Sequence, residues 1–118
     1  MKLLIVDDSM MIRNVIEALL KNKNFEVVGK AANGVEAIAM FKQHNPDLVT
    51  LDITMPEMDG LAAMEVMLAH KPDSRIIIVS ALNSKATGLQ AMSKGAKAIV
   101  EKPVNEAKLE AALNIALK

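Results

Sequence analysis

Five short apolar runs alternate along the chain with segments of helical spacing, and this alternation constrains the fold more than any other feature. The runs are continuous rather than alternately polar, as in strands that are buried on both faces. Strands that alternate with helices form βαβ units, whose strands are parallel and whose crossovers are right-handed. The runs cover residues 3–6, the stretch around 27–28, 48–51, 76–79 and 98–100. The sequence therefore predicts an α/β protein with a parallel five-stranded sheet and five helices.

Apolar side chains recur on one helical face in four of the five segments that follow the runs. The segment 84–94 has the weakest pattern, because Gly88 within it costs a helix about 1 kcal/mol relative to Ala. Pro46 and Pro72 each come two residues after a histidine, and both are predicted to end a helix. The predicted stripes are Ile12, Val15, Ile16, Leu19 and Leu20; Val35, Ile38 and Phe41; Leu61, Met64 and Leu68; and Leu109, Ala112, Leu113 and Ala116.

Composition narrows the class of protein further. The 118 residues suffice for one domain with a real core, which we expect to span residues 1–118. Lys plus Arg and Asp plus Glu both number 14, so no net field favours nucleic acid or an anionic membrane as a partner. Phe25 and Phe41 are the aromatic residues, too few for a base-stacking platform. The absence of Cys excludes disulfides and thiolate chemistry.

Targeting signals are not evident in the sequence. The first apolar run is too short for a signal peptide and is followed by acidic residues. Apolar runs elsewhere fall far short of the roughly 20 residues of a transmembrane helix. We therefore expect a cytoplasmic location.

Polar side chains follow the ends of four predicted strands. Asp7 and Asp8 follow the first, Asp52 the third, Ser80 the fourth, and Lys102 the fifth. Because ligands in an open parallel sheet bind outside the carboxyl ends of the strands, these groups are expected to converge on one edge. Pro103 admits a cis peptide bond that would direct Lys102.

Three carboxylates at one edge call for a cation, since like charges raise one another's pKa. Mg²⁺ takes one or two carboxylates and completes its octahedron with waters and a phosphate. A lysine and a hydroxyl beside it can neutralise and hydrogen-bond a phosphoryl group, and a carboxylate can accept that group as a nucleophile. The sequence therefore predicts a Mg²⁺-dependent phosphoryl-transfer site.

Simpler roles remain open for the same residues. Asp8 or Ser9 is expected to cap the first helix, with Asp8 contributing. Asp59 and Gly60 suit a turn or a helix start. The segment 45–70 carries five acids and no Lys or Arg, and 84–102 carries four lysines against Glu101. These charges form either two solvated faces or an acidic site that faces a cationic partner.

Four segments together resemble the receiver domain of bacterial response regulators, and within that family its stand-alone chemotaxis members. The segments are 5–9 (IVDDS), 51–60 (LDITMPEMDG), 79–81 (VSA) and 102–103 (KP), with NGVEA at 33–37 and KGAK at 94–97 in the family's places. Each segment alone is weakly specific, whereas all of them in this order are highly specific. The family's known architecture, rather than the spacing, implies a doubly wound, flavodoxin-like sheet with strand order 2-1-3-4-5.

The resemblance also implies roles for individual residues. Asp52 is similar to the family's phosphoacceptor, which takes a phosphoryl group from a histidine kinase. Ser80 and Lys102 resemble the hydroxyl and the lysine that contact this group. The resemblance implies a Mg²⁺ site formed by Asp7, Asp8, Asp52 and the backbone carbonyl of Thr54.

Partners and output are also implied by the resemblance. The face formed by the fourth helix, the fifth strand and the fifth helix would bind partner proteins: the flagellar motor switch in chemotaxis, or a phosphotransfer domain in a phosphorelay. A monomer is expected, and dimerisation on phosphorylation stays open. Ile99 stands where the family often has an aromatic switch residue, so an aromatic in–out switch is not available to this chain and its output mechanism stays open.

Two other classes fit the sequence less well. A small Mg²⁺-dependent phosphohydrolase of the haloacid-dehalogenase type would need two acids spaced two apart, and Asp7 and Asp8 are adjacent. A flavodoxin-like cofactor carrier would need a hydroxyl-rich phosphate loop and aromatic residues. We therefore expect a protein that catalyses only its own phosphorylation and dephosphorylation.

Leu82 yields the first testable prediction. It lies two residues beyond Ser80, where the family tunes the attack of water on the phosphoryl group, and its side chain cannot orient water by hydrogen bonding. Self-dephosphorylation should therefore be slower in this protein than in a Leu82→Glu variant. Measured half-lives of the phosphorylated proteins test this, and an unchanged or longer half-life in the variant contradicts it.

Overall fold

A computed structural model of the chain describes residues 1–21, 23–53, 60–81 and 85–118. Five strands and five helices alternate along these ranges, as the apolar runs predict. The strands are β1 (Lys2–Val6), β2 (Glu26–Ala31), β3 (Leu48–Asp52), β4 (Arg75–Ser80) and β5 (Ala98–Glu101). The helices are α1 (Met10–Leu20), α2 (Gly34–His44), α3 (Gly60–His70), α4 (Lys85–Ser93) and α5 (Glu106–Ala116).

The strands form one sheet in the order β2-β1-β3-β4-β5, and every pairing is parallel. This is the doubly wound, flavodoxin-like order that the resemblance implies. The strand order reverses at β1, since β2 lies on one side of it and β3 on the other. A crevice for a ligand therefore forms between the carboxyl ends of β1 and β3.

Both faces of the sheet are buried at the central strands β1, β3 and β4, which explains their continuous apolar runs. In β1, Leu4 and Val6 belong to one core cluster, with residues of α2 and α3, while Leu3 and Ile5 belong to the other, with α1 and α5. The same alternation holds in β4, as expected for side chains that point to opposite faces in turn. No solvated face is left for polar side chains in these strands, so they lie at the strand ends.

The prediction of a core position is wrong for two residues. Val15 in α1 is 36% exposed and Val35 in α2 is 57% exposed. In α2 the buried residues are Gly34, Ala37 and Phe41, so the helix turns a neighbouring face to the core and leaves Ile38 partly buried at its edge. The predicted stripe of α5 is buried in full, and those of α1 and α3 otherwise pack against the core.

Loops at the amino-terminal edge of the sheet are joined by a polar network. Asp47 accepts a hydrogen bond from the backbone N–H of Lys2 at 2.9 Å and pairs with Lys71 Nζ at 3.1 Å. The Ser74 hydroxyl donates to the carbonyl of Pro46 at 3.0 Å. These bonds connect the loops before β3 and β4, each of which follows a helix that ends at the predicted histidine.

Charges from the acidic segment 45–70 and the lysine-rich segment 84–102 meet on the surface. Glu65 on α3 pairs with Lys94, just after α4, at 2.7 Å. The acids and lysines of these segments are therefore partly paired with one another. None of the helices in the described ranges combines the length and the apolar character that crossing a membrane requires.

Gly60, the first residue of α3, packs directly on the backbone that ends β3. A Cβ atom at this position would lie 2.5 Å from Ile53 Cα and 2.6 Å from the carbonyl oxygen of Asp52. Both of those atoms belong to the backbone and cannot rotate away. The glycine therefore lets α3 start against the strand end that carries Asp52.

A Gly60→Ala variant should lose about 2–3 kcal/mol of unfolding free energy, because the helix must shift away from β3. Gly88→Ala is the matched control, since its Cβ would meet the rotatable Cδ1 of Ile99 at 3.2 Å. The control should stay within about 1 kcal/mol of wild type, because the alanine also favours the helix. Urea unfolding curves test this, and equal losses in the two variants would contradict the packing account.

Candidate functional site

Four of the predicted site residues lie together at the carboxyl end of the sheet, in the crevice between β1 and β3. Asp7 and Asp8 follow β1, Asp52 ends β3, and Lys102 follows β5. Asp7 and Asp52 are almost fully buried, whereas Asp8 is exposed. The site therefore consists of two buried carboxylates and one solvent-accessible carboxylate beside them.

Local hydrogen bonds fix the backbone and one carboxylate oxygen of Asp7. Its N–H donates to the carbonyl of Ala31 at 3.0 Å, and its Oδ1 accepts the N–H of Ser9 at 2.9 Å. Its own carbonyl accepts a hydrogen bond from Arg13 Nη1 at 2.7 Å. Asp7 is thus held by both neighbouring elements, β2 and α1.

The cap of α1 is Ser9 and not Asp8, which corrects the prediction that Asp8 contributes to it. The Ser9 hydroxyl oxygen accepts the N–H of Ile12 at 3.3 Å, and Ser9 has the extended backbone of a cap residue. With the cap supplied by its neighbour, the exposed Asp8 carboxylate is not needed for the helix. Asp8 is therefore available to a ligand.

Lys102 connects the two buried carboxylates. Its Nζ lies 3.2 Å from Asp7 Oδ2 and 3.4 Å from Asp52 Oδ2. Its backbone N–H donates to the carbonyl of Ser80 at 2.8 Å, and the Lys102–Pro103 peptide bond is cis. The lysine thus spans the ends of three strands.

Electrostatics couple these groups. Burial raises the pKa of Asp7, and the nearby charge of Asp52 acts in the same direction, against the Ser9 amide and Lys102. Burial lowers the pKa of Lys102, but the charges of Asp52 and Asp7 outweigh it, so the net shift is upward. The ammonium therefore stays charged, while Asp7 is destabilised in its ionised form.

The carboxylates fit a divalent cation. One oxygen each from Asp7, Asp8 and Asp52 lies within 4.8 Å of the others, close to the span of oxygens around one octahedral Mg²⁺. Asp7 Oδ2 is buried and has no hydrogen-bond partner in the described part of the chain. Three carboxylates and one ammonium leave two negative charges, which a divalent cation neutralises. Thr54, whose carbonyl the resemblance adds to the ligands, lies outside the described residues.

Ser80 sits beside this group rather than within it. It follows Val79, which pairs in register with Asp52, and its hydroxyl-bearing side chain is buried. It lines a cavity of about 190 Å³ together with Ala81, Leu89, Ile99 and Glu101. Leu82, predicted to influence water attack, lies outside the described residues, as do Asp59 and the loop 54–58.

Arg13 is a contributor that the sequence analysis missed. Its guanidinium holds the carbonyl of Asp7 from one turn into α1. A basic residue six positions after the acid, on the first helix, was the available signal. Spacing alone does not tell such a residue from a solvated one.

This geometry identifies the class of protein: a doubly wound domain with acids after β1, an acid at the end of β3 and a lysine after β5. A family model described as the response regulator receiver domain matches residues 3–114. The chain belongs to the response regulator receiver domain family. Members of this family are phosphoacceptor switches of two-component systems, and they generally bind Mg²⁺ at an acidic pocket.

Among individual proteins, the chain is similar to chemotaxis proteins called CheY. It is 44% identical to that of Listeria monocytogenes over 118 residues, covering 100% of this chain and 99% of the relative. It is 41% identical to that of Bacillus subtilis, covering 96% and 94%. A solved CheX–CheY–BeF₃–Mg²⁺ complex from Borrelia burgdorferi contains a chain with a TM-score of 0.90 and 34% identity, covering 99% and 90%.

The raised pKa of Asp7 gives a prediction about stability. A carboxyl whose pKa is raised by folding stabilises the fold below its unfolded pKa, here the ordinary aspartate value of 3.8, and this contribution is lost as pH rises through the folded pKa. In EDTA at pH 7, Asp7→Asn should therefore have a higher unfolding free energy than wild type, by about 1 kcal/mol, the size of a typical stabilising substitution. The gain should shrink towards pH 4.

Asp73→Asn is the control, since Asp73 is exposed at the opposite edge of the sheet. It should leave the stability almost unchanged at both pH values. Added Mg²⁺ should stabilise wild type but not Asp7→Asn. Urea unfolding at the two pH values measures both effects, and an Asp7→Asn protein less stable than wild type at pH 7 in EDTA would refute the argument.

Proposed function

We propose that this chain is a phosphorylation switch, in which Asp52 accepts a phosphoryl group from the phosphohistidine of a kinase. The observation that carries the proposal is the position of Lys102 Nζ, 3.4 Å from the buried Asp52 and 3.2 Å from Asp7. A fixed ammonium beside a buried carboxylate, next to further acids, suits the transfer of an anionic group. We assign residues 1–118 to this one domain.

The transfer balances without an outside reagent. An Oδ atom of Asp52 attacks the phosphorus, the new O–P bond forms, and the bond from phosphorus to the imidazole nitrogen breaks. The imidazole keeps the electron pair and takes up a proton. Bound Mg²⁺ supplies charge neutralisation at the phosphoryl oxygens.

The chain's own residues divide the remaining work. Asp7, Asp8, Asp52 and the Thr54 carbonyl hold the metal in our assignment. Lys102 turns from Asp7 to a phosphoryl oxygen, and the Ser80 hydroxyl donates a hydrogen bond to another. Water later attacks the phosphorus, the bond between phosphorus and the Asp52 oxygen breaks, and inorganic phosphate and a proton leave, which restores the Asp52 carboxylate. The protein thus acts on its own side chain and turns over no external substrate.

For the pathway we favour chemotaxis, in the cytoplasm. The full-length similarity to chemotaxis proteins of two bacteria supports it. The partners would be a histidine kinase and the flagellar motor switch, which would bind the face formed by α4, β5 and α5. Leu89 on this face is 63% exposed, as suits a protein contact. The alternative is a phosphorelay, with a phosphotransfer domain as the second partner.

Intact mass tests the proposed switch. Incubation with acetyl phosphate and Mg²⁺ should add one phosphoryl group, about 80 Da, because Asp52 accepts it directly. Asp52→Asn and a sample in EDTA should show no gain. Asp47→Asn, which removes an acid from the opposite edge beside the same strand, should gain mass as wild type does.

Each other outcome has a definite meaning. Wild type that gains no mass, while releasing phosphate steadily from small phosphoesters, would instead indicate a hydrolase. A mass gain in Asp52→Asn would show that another residue accepts the phosphoryl group. Capture of the phosphorylated protein by a motor-switch peptide supports chemotaxis, and capture by a phosphotransfer domain supports the relay.

A further inference from the structure

Thr50 is a buried polar residue for which the proposed function has no role. It lies in the middle of β3 and is 0% exposed. Its Oγ1 has no hydrogen-bond partner among the described residues. An unsatisfied buried hydroxyl costs about 1–3 kcal/mol, whereas a valine fills the same volume without that cost. Packing alone therefore does not account for a threonine here.

The register of the sheet places Thr50 beneath the site. Thr50 pairs with Ile5 on one side and with Ile77 on the other. Because side chains alternate along a strand, Thr50 shares its face with Asp52, two residues on. Asp7 likewise shares its face with Ile5, two residues before it. Thr50 thus lies on the same face of the sheet as the two buried carboxylates, two residues before Asp52 and next to Ile5.

A second buried atom without a hydrogen bond in the described part of the chain, Asp7 Oδ2, belongs to the same face of the sheet. Among described residues, the buried side-chain oxygens or nitrogens without a hydrogen bond are Thr50 Oγ1 and Asp7 Oδ2. One of them can donate and the other can only accept when ionised. Because Thr50 pairs with Ile5, Thr50 and Asp7 are diagonal neighbours on adjacent strands, with their side chains on the same face of the sheet.

Asp7 Oδ2 accepts no hydrogen bond from the described residues but forms an ion pair with Lys102, which it shares with Asp52. Lys102 Nζ lies 3.2 Å from it and serves Asp52 as well. When a phosphoryl group takes the ammonium, Asp7 Oδ2 keeps the metal that we assign to it but loses its ammonium partner, so one acceptor position of this buried oxygen has no donor. Asp7 Oδ2 then needs a hydrogen-bond donor on the same face of the sheet. The Thr50 hydroxyl is such a donor and makes no hydrogen bond among the described residues.

We propose that Thr50 is a positioning residue, whose hydroxyl turns to donate to Asp7 Oδ2 when Lys102 moves to the phosphoryl group. In the resting protein the unsatisfied Thr50 hydroxyl lowers the stability of the fold. In the phosphorylated protein it holds the Asp7 carboxylate in place. This inference rests on the proposed function, because it needs Lys102 to leave Asp7.

Two substitutions separate the hydroxyl from the packing. Thr50→Val keeps the shape and removes the hydroxyl, while Thr50→Ser keeps the hydroxyl and removes a methyl group. Beryllofluoride with Mg²⁺ is the probe, as a stable mimic of a phosphoryl group on a carboxylate. Bound fluoride signals in ¹⁹F NMR report occupancy, which suits a chain without Trp or Tyr.

Thr50→Val should bind beryllofluoride about fivefold more weakly than wild type, the fold-change expected for one lost hydrogen bond. Thr50→Ser should bind within about twofold of wild type. Mg²⁺ alone, measured by calorimetry, should bind all three proteins equally, since Lys102 has not yet moved. In urea, Thr50→Val should be at least as stable as wild type and Thr50→Ser less stable.

Several outcomes overturn the inference. If Thr50→Val binds beryllofluoride as tightly as wild type, the Thr50 hydroxyl has no positioning role. If both variants bind beryllofluoride equally weakly, the effect comes from packing and not from the hydroxyl. Thr50→Val that is less stable than wild type shows that the hydroxyl is already satisfied at rest. Wild type that takes up no beryllofluoride refutes the proposed function itself, and the inference falls with it.

Discussion

The burial of both faces of the sheet is the constraint on which the rest of the structure depends. Residues of β1 alternate between two apolar clusters, so neither side of the strand is free for polar chemistry. Parallel strands then bring all their carboxyl ends to one edge, and the acids and the lysine meet there. The location of the site follows from how the core is filled.

Residues at the strand ends were predictable for the same reason. Asp7, Asp52 and Lys102 each follow a recognisable apolar run, so their meeting at one edge needed only the strand assignment. The strand order was a different matter, because spacing does not state which strands are neighbours. It came from the family resemblance, and the structure confirms it.

Other features depend on contacts that spacing does not encode. The exposure of Val15 and Val35 reflects how far neighbouring elements cover a helix, which a stripe of apolar residues does not fix. Gly60 looked like a turn or a helix start, yet its decisive property is the backbone that lies against it. Thr50 reads as one more strand residue until its lack of a partner is known.

The two ends of the sheet show how the same residue types serve stability at one edge and chemistry at the other. At the amino-terminal edge, the Lys2 amide and then Lys71 lower the pKa of Asp47, so this carboxylate is satisfied and stabilises the loops. At the carboxyl edge, burial and the charge of Asp52 raise the pKa of Asp7, despite Lys102. A satisfied acid gains little from a further cation, whereas a destabilised one binds it strongly. The unfavourable electrostatics of the carboxyl edge therefore favour the binding of a divalent cation there.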